Sequence, residues 1–163
     1  ISGGTGTAGA YIIGDTVTAS WDNSAIGDDN SDTISATTVD FSAFGGGAAV
    51  AATNSSGTWT ATYTLTSGAI EATNLNVSVT AMDNAGNTRT QADSSNAAVD
   101  NVAPAVASVS VPANATYKAG DNLDFVVSIA SASDVVVDST GGTPRLALTI
   151  GSSTVYALSL IHI

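Results

Sequence analysis

The sequence predicts an all-β fold, a sandwich of short antiparallel strands. Apolar residues alternate with Thr and Ser at a period of two along several stretches, the mark of strands with one buried and one wet face. Clusters of Gly, Asn, Asp and Ser separate those stretches. Nowhere in the 163 residues does a convincing 3.6-residue period appear.

The elements follow in order. A Tyr11-Ile12-Ile13-Gly14-Asp15 turn leads into Thr16-Val17-Thr18-Ala19-Ser20-Trp21, which puts Val17, Ala19 and Trp21 on one face. Ile34 to Phe41 is a looser alternation. Thr58 to Thr66 alternates strictly, with Trp59, Ala61, Tyr63 and Leu65 on one face and Thr58, Thr60, Thr62, Thr64 and Thr66 on the other. Asn74 to Ala81 repeats the pattern, and Asn96 to Pro104 reads as a further short strand followed by a stiffening proline. Turns fall at Asn54-Ser55-Ser56-Gly57, Thr66-Ser67-Gly68 and Asp83-Asn84-Ala85-Gly86-Asn87. Pro104 has no N–H to give a central strand and suits a linker, after which Ala105 to Val111 starts a new alternation. Asn122 to Ile129 is the next strand, with Leu123, Phe125, Val127 and Ile129 on one face.

An internal repeat organises these elements. Tyr11-Ile12-Ile13-Gly14-Asp15 recurs as Tyr117-Lys118-Ala119-Gly120-Asp121, 106 residues later, and an alternating strand follows both copies. Agreement in turn and strand phase, at the length of one small domain, predicts tandem modules. Residues 1–101 are assigned to one sandwich, 102–104 to a linker and 105–163 to a partial second sandwich. The chain begins without a Met or a signal-like segment and stops inside an apolar run, so it is expected to be a piece of a longer protein.

Composition excludes several roles. Arg89, Lys118 and Arg145 are the sole basic residues against 14 acidic ones, too few for a phosphate-binding face, so nucleic acid is not an expected partner. No apolar run approaches the ~18 residues that a membrane-spanning helix needs, and no membrane insertion is expected. The net charge of −11 would keep the chain soluble and self-repelling. Cysteine is absent, and so are disulfides.

Four segments together resemble a known family. Thr16 to Asp22, Gly57 to Tyr63, Ala81-Met82-Asp83-Asn84-Ala85-Gly86-Asn87 and Val99-Asp100-Asn101-Val102-Ala103-Pro104 are similar to bacterial immunoglobulin-like repeats of the Big type. Those repeats build very large secreted or surface adhesins. Gly120-Asp121, Leu123 to Ile129 and Gly142 to Ile150 resemble a second kind of repeat from the same proteins. The resemblance covers nearly all of the chain to about Tyr156. It implies tandem immunoglobulin-like β-sandwiches, the second truncated, at the bacterial surface or outside the cell. The implied role is a non-catalytic stalk or spacer, with neighbouring repeats of the same chain as partners and calcium as a stiffener. Two departures stand out: the first module lacks its first strand, and residues 158–163 resemble translated adaptor sequence.

Calcium takes several oxygen ligands from loops rich in Asp and Asn. The densest cluster is Asp28, Asp29, Asn30 and Asp32, with Asp22 and Asn23 close in sequence. Asp28-x-Asn30-x-Asp32 opens like an EF-hand loop, but Thr33 stands where that loop needs Gly and Val39 where it needs Glu. Asp83, Asn84 and Asn87 form a second loop, and Asp100 with Asp121 marks a third candidate at the junction of the modules. Asp and Asn also populate ordinary turns, because they tolerate αL and close Asx turns, and that reading needs no metal.

Other chemistry has less to stand on. The single His162 lies in the tail, there is no Cys nucleophile, and Glu71 is the lone Glu, so no catalytic residues are assigned. Gly3-Gly4-Thr5-Gly6 and Gly45-Gly46-Gly47 lack the Lys-Ser/Thr of a P-loop and are assigned to turns. The row from Thr58 to Thr66 is a single hydroxyl–methyl row, whereas an ice-binding face needs several in register. Trp21, Trp59, Tyr63 and Phe125 are expected in the core. The alternative readings are a module whose loops bind a glycan or protein, with Trp21 and Trp59 as stacking residues, and an accessory domain of a secreted polysaccharide-degrading enzyme.

Overall fold

The computed structural model describes residues 1–24, 26–27, 31–130, 135, 137 and 139–158. The fold is all-β, and the chain divides into two compact units, Ile1–Ala103 and Pro104–Ile163.

Among the described residues the first unit has ten strands: β1 Tyr11–Ile12, β2 Thr16–Asp22, β3 Ile34–Asp40, β4 Val50–Ala51, β5 Thr53–Ser55, β6 Thr58–Thr64, β7 Glu71–Leu75, β8 Ser78–Asp83, β9 Thr88–Ala92 and β10 Ala97–Asp100. One layer has the order β2-β6-β5. The other joins two sheets, β4-β3-β8-β9 and β1-β10-β7. Only Asn76 and Val77 separate β7 from β8. The pairs Ser78–Ala92 and Leu75–Ala97 therefore continue one hairpin, and the two sheets form one layer. Strands β2, β6 and β5 opposite β3, β8 and β9 give the strand division of an immunoglobulin-type sandwich.

Register explains the alternation in the sequence. Val17 pairs with Tyr63, Ala19 with Ala61 and Trp21 with Trp59, all on the inner face. Thr16–Thr64, Thr18–Thr62 and Ser20–Thr60 alternate with them on the outer face. The fully buried side chains are Val17, Phe41, Phe44, Leu65 and Val77, packed with Tyr11, Val39, Ala61 and Val99. Phe41 precedes and Phe44 ends a 3-10 turn at Ser42–Phe44 that Gly45 closes at φ +84°. Phe44 meets the Tyr11 ring edge-on, with centroids 5.8 Å apart. At Gly46 a Cβ would lie 2.7 Å from the Phe41 Cβ and 2.9 Å from the Tyr63 ring, so this glycine serves close packing.

The structure corrects one strand in this unit. Asn74 to Ala81 is not one strand but breaks at Asn76-Val77 into β7 and β8. Asn74 takes φ +60° and Asn96, on the neighbouring arm, φ +54°. Asn76 and Asn96 clasp across the break: the Asn76 amide donates to the Asn96 side-chain oxygen at 3.0 Å, and the Asn96 N–H donates back at 2.9 Å. Both arms are interrupted at the same level, so the hairpin keeps its pairing on either side while Val77 sinks into the core.

Among the described residues the second unit holds two antiparallel strand pairs. Strand β11, Ala105–Ser110, pairs with β12, Val126–Ala130, and β13, Arg145–Ile150, pairs with β14, Ser153–Leu158. The strand expected from Asn122 begins only at Val126. Its partner ends at Ser110, opposite Val126, and Pro112 follows without an N–H to extend the ladder. Val106, Val126 and Ile150 stay largely exposed. Of the tail, residues 159–163, including His162, lie outside the described residues.

Candidate functional site

The repeated Tyr-x-x-Gly-Asp motif forms the same turn twice. In the first unit the Asp15 N–H donates to the Ile12 carbonyl at 3.0 Å, and the Ile12 N–H donates to the Asp15 carboxylate at 3.0 Å. In the second, the Asp121 N–H donates to the Lys118 carbonyl at 3.0 Å, and the Lys118 N–H donates to the Asp121 carboxylate at 2.9 Å. Gly14 and Gly120, at φ +92° and +95°, allow the tight reversal.

Asp15 does more than close its turn. Its side chain is buried, and its carboxylate also accepts the Thr5 N–H at 2.8 Å and the Thr5 hydroxyl at 2.6 Å. The Thr5 hydroxyl, then the Ile12 N–H, hold the Asp15 carboxyl below the usual carboxylate range. Burial, then the Asp15 charge, pushes the Tyr11 phenol above its ordinary value. The N-terminal segment is thereby tied to the first full strand. Sequence reasoning found Asp15 through the repeat but missed Thr5, because the second copy has Val111 at the matching place.

The calcium candidates fall in three separate segments of the sequence. Asp28 and Asn30, with Asp29, lie outside the described residues. Asp22 accepts the Ser24 N–H at 2.9 Å, an Asx turn, and Ser24 holds its carboxyl below the ordinary value through its hydroxyl and its N–H. Asp32 is exposed on the same loop. Asp83 fills its carboxylate with N–H donors: Ala85 and Asn87 backbone at 2.8 Å each on one oxygen, and the Asn87 amide at 2.8 Å on the other. Those bonds, the Asn87 side chain first, lower its pKa. The Asp83 carboxylate is thus closed by donors of its own loop, and the Asn84 N–H donates to the Thr33 carbonyl at 3.0 Å.

At the third candidate Asp100 accepts the Val102 N–H at 3.1 Å, and Asp121 belongs to its own unit's turn. The buried residue here is Asn101, 3% exposed: its side-chain oxygen takes the Ile70 N–H at 2.8 Å and its carbonyl takes the Gly68 N–H at 2.9 Å. Among the described residues no three acidic or His side chains converge as metal ligands.

Trp59 is 8% exposed and its indole N–H donates to Asn23 at 3.2 Å, so its ring faces the core. Trp21, opposite it, is half-buried, as are Tyr63 and Phe125. Glu71 is exposed at the first position of β7. The hydroxyl face is wider than the single row in the sequence: Thr53, Thr60 and Ser20 align across three strands, and Thr16 and Thr64 hydroxyls meet at 2.9 Å. In the second unit a cleft of about 430 Å³ is lined by Tyr117, Leu123, Phe125, Leu148 and Ile150.

No protein-family model, curated protein or solved structure matches the chain. No helix among the described residues is long and apolar enough to cross a membrane.

Proposed function

We propose that the chain is a structural spacer, a pair of repeat modules from the stalk of a large extracellular bacterial adhesin, without catalytic activity. The observation that carries this reading is the pair of Tyr-x-x-Gly-Asp turns, 106 residues apart and closed by the same two hydrogen bonds. Recurrence of one turn geometry at the head of each unit is what serial modules require. Its partners are then neighbouring repeats, and its task is reach: a strand of seven residues spans roughly 23 Å. Small-angle scattering on chains of two, four and six joined copies will show a maximum dimension that grows linearly with copy number. A compact globule whose size grows as the cube root of mass would end the spacer reading.

Calcium enters this reading as a stiffener held by the chain's acidic loops. With 10 mM calcium and a dissociation constant of about 0.1 mM, linkage gives about 2.7 kcal/mol. The first unit's melting temperature then rises by roughly 10–20 °C over the chelator value. Equal melts in calcium, magnesium and chelator would leave a metal-free spacer.

A further inference from the structure

Strand β9 is an open edge. The Asp83 N–H donates to the Asn87 carbonyl at 3.0 Å and the Asp93 N–H to the Val77 carbonyl at 2.9 Å, so the odd-numbered residues of β9 bond to β8. Thr88, Thr90 and Ala92 therefore turn their N–H and C=O groups away from the sheet. Among the described residues nothing pairs with them except the Gln91 amide, which reaches the Ala92 carbonyl at 3.4 Å. Farther along the same edge β10 is covered by β1. All five residues of β9 are exposed.

The side chains on this edge are unequal. Thr88 and Thr90 share the outer face, where the Thr90 and Thr80 hydroxyls meet at 2.7 Å. Arg89 and Gln91 share the inner face with Ala81 and Val79, their register partners. Arg89 is the one basic residue among ten acidic residues in the first unit. An inward charge on an edge strand disfavours pairing with an apolar or basic strand. It favours a strand that places a carboxylate opposite it. Arg89 lies between the outward-bonding residues Thr88 and Thr90, so it faces an incoming strand at a non-hydrogen-bonded pair, where side chains come closest.

We propose that the free edge of β9 is a strand-addition site for an extended, β-branched segment carrying one Asp or Glu opposite Arg89. Backbone bonds at Thr88, Thr90 and Ala92 supply the affinity, and the Arg89 guanidinium selects the partner.

The test uses the full chain and two synthetic peptides, Thr-Val-Thr-Glu-Val-Thr-Val and the same peptide with Lys in place of Glu. Amide hydrogen exchange read residue by residue will slow about tenfold at Thr88, Thr90 and Ala92 with the Glu peptide, while Arg89 and Gln91 amides, already bonded to β8, stay unchanged. The Glu peptide will bind about fivefold more tightly than the Lys peptide, and Arg89→Thr will erase that preference. Thr90→Pro removes an N–H that has no partner in the fold, and with it only the exposed hydroxyl contact to Thr80, so it will abolish binding while the first unit still melts cooperatively. No added protection, equal binding of both peptides to the wild type, or protection of the same amides by self-association without peptide would each overturn the proposal.

Discussion

Replacing Asp15 by Ala will lower the stability of the first unit by about 3 kcal/mol, because three donors that now meet a buried carboxylate lose it together. For a unit of this size that is a fall of roughly 12–24 °C in melting temperature. Asp15→Asn is the informative control. Its amide oxygen can still accept the Thr5 and Ile12 N–H groups, while the Thr5 hydroxyl rotates to accept from the new NH2. The loss should be less than half that of the Ala variant. Acid titration separates charge from shape. The Asp15 carboxyl is held low in the folded unit by Thr5 and Ile12, so its contribution is present above the unfolded value of about 3.9. That contribution fades as pH falls through the lower folded value. The gap between wild type and Asp15→Asn should be constant above about pH 5 and close below about pH 4. A gap that is independent of pH would mean that the carboxylate's charge plays no part.

Phe44→Ala will cost about 3–5 kcal/mol and bring the first unit to the edge of unfolding. The ring is 0% exposed, and its edge-on contact with Tyr11 links the turn after β3 to β1 and so to both ends of the unit's second layer. Deleting it leaves a cavity between elements that rigid strands cannot close. Phe44→Leu keeps most of the volume and should cost about 1.5 kcal/mol. Ile26→Ala, at a residue 96% exposed, should stay within about 0.5 kcal/mol of wild type. Denaturant melts followed by tryptophan fluorescence suit this series, since Trp21 and Trp59 both lie in the first unit. A Phe44→Ala loss no larger than that of Ile26→Ala would mean that the turn after β3 does not belong to the core.

Much of the fold was legible in the sequence. Strict alternation in Thr16 to Trp21 and Thr58 to Thr66 predicted inner and outer faces, because the side-chain period of a strand is two whatever it pairs with. The glycines and Asn/Asp clusters predicted the turns for an equally local reason, their tolerance of φ > 0 and their side-chain bonds to nearby N–H groups. The repeated Tyr-x-x-Gly-Asp motif is local as well, five residues that close on themselves, so both copies form the same turn.

What the sequence could not carry was pairing across distance. Thr5 lies ten residues before Asp15 with no pattern between them, and only the folded N-terminal segment brings its hydroxyl to that carboxylate. The break at Asn76 was invisible because Asn74 to Ala81 alternates well; its partner, Asn96, lies on the neighbouring strand arm. Which donors close the Asp83 carboxylate was likewise hidden: the folded loop turns its own N–H groups onto it. The hydroxyl row of Thr58 to Thr66 became a face three strands wide only through register with β2 and β5. The sequence by itself determined which residues point in, which point out and where the chain reverses, since those follow from neighbouring φ/ψ and side-chain chemistry. Tertiary structure alone decided which carboxylates are satisfied and which strand edge stays open, because both depend on partners that no local pattern encodes.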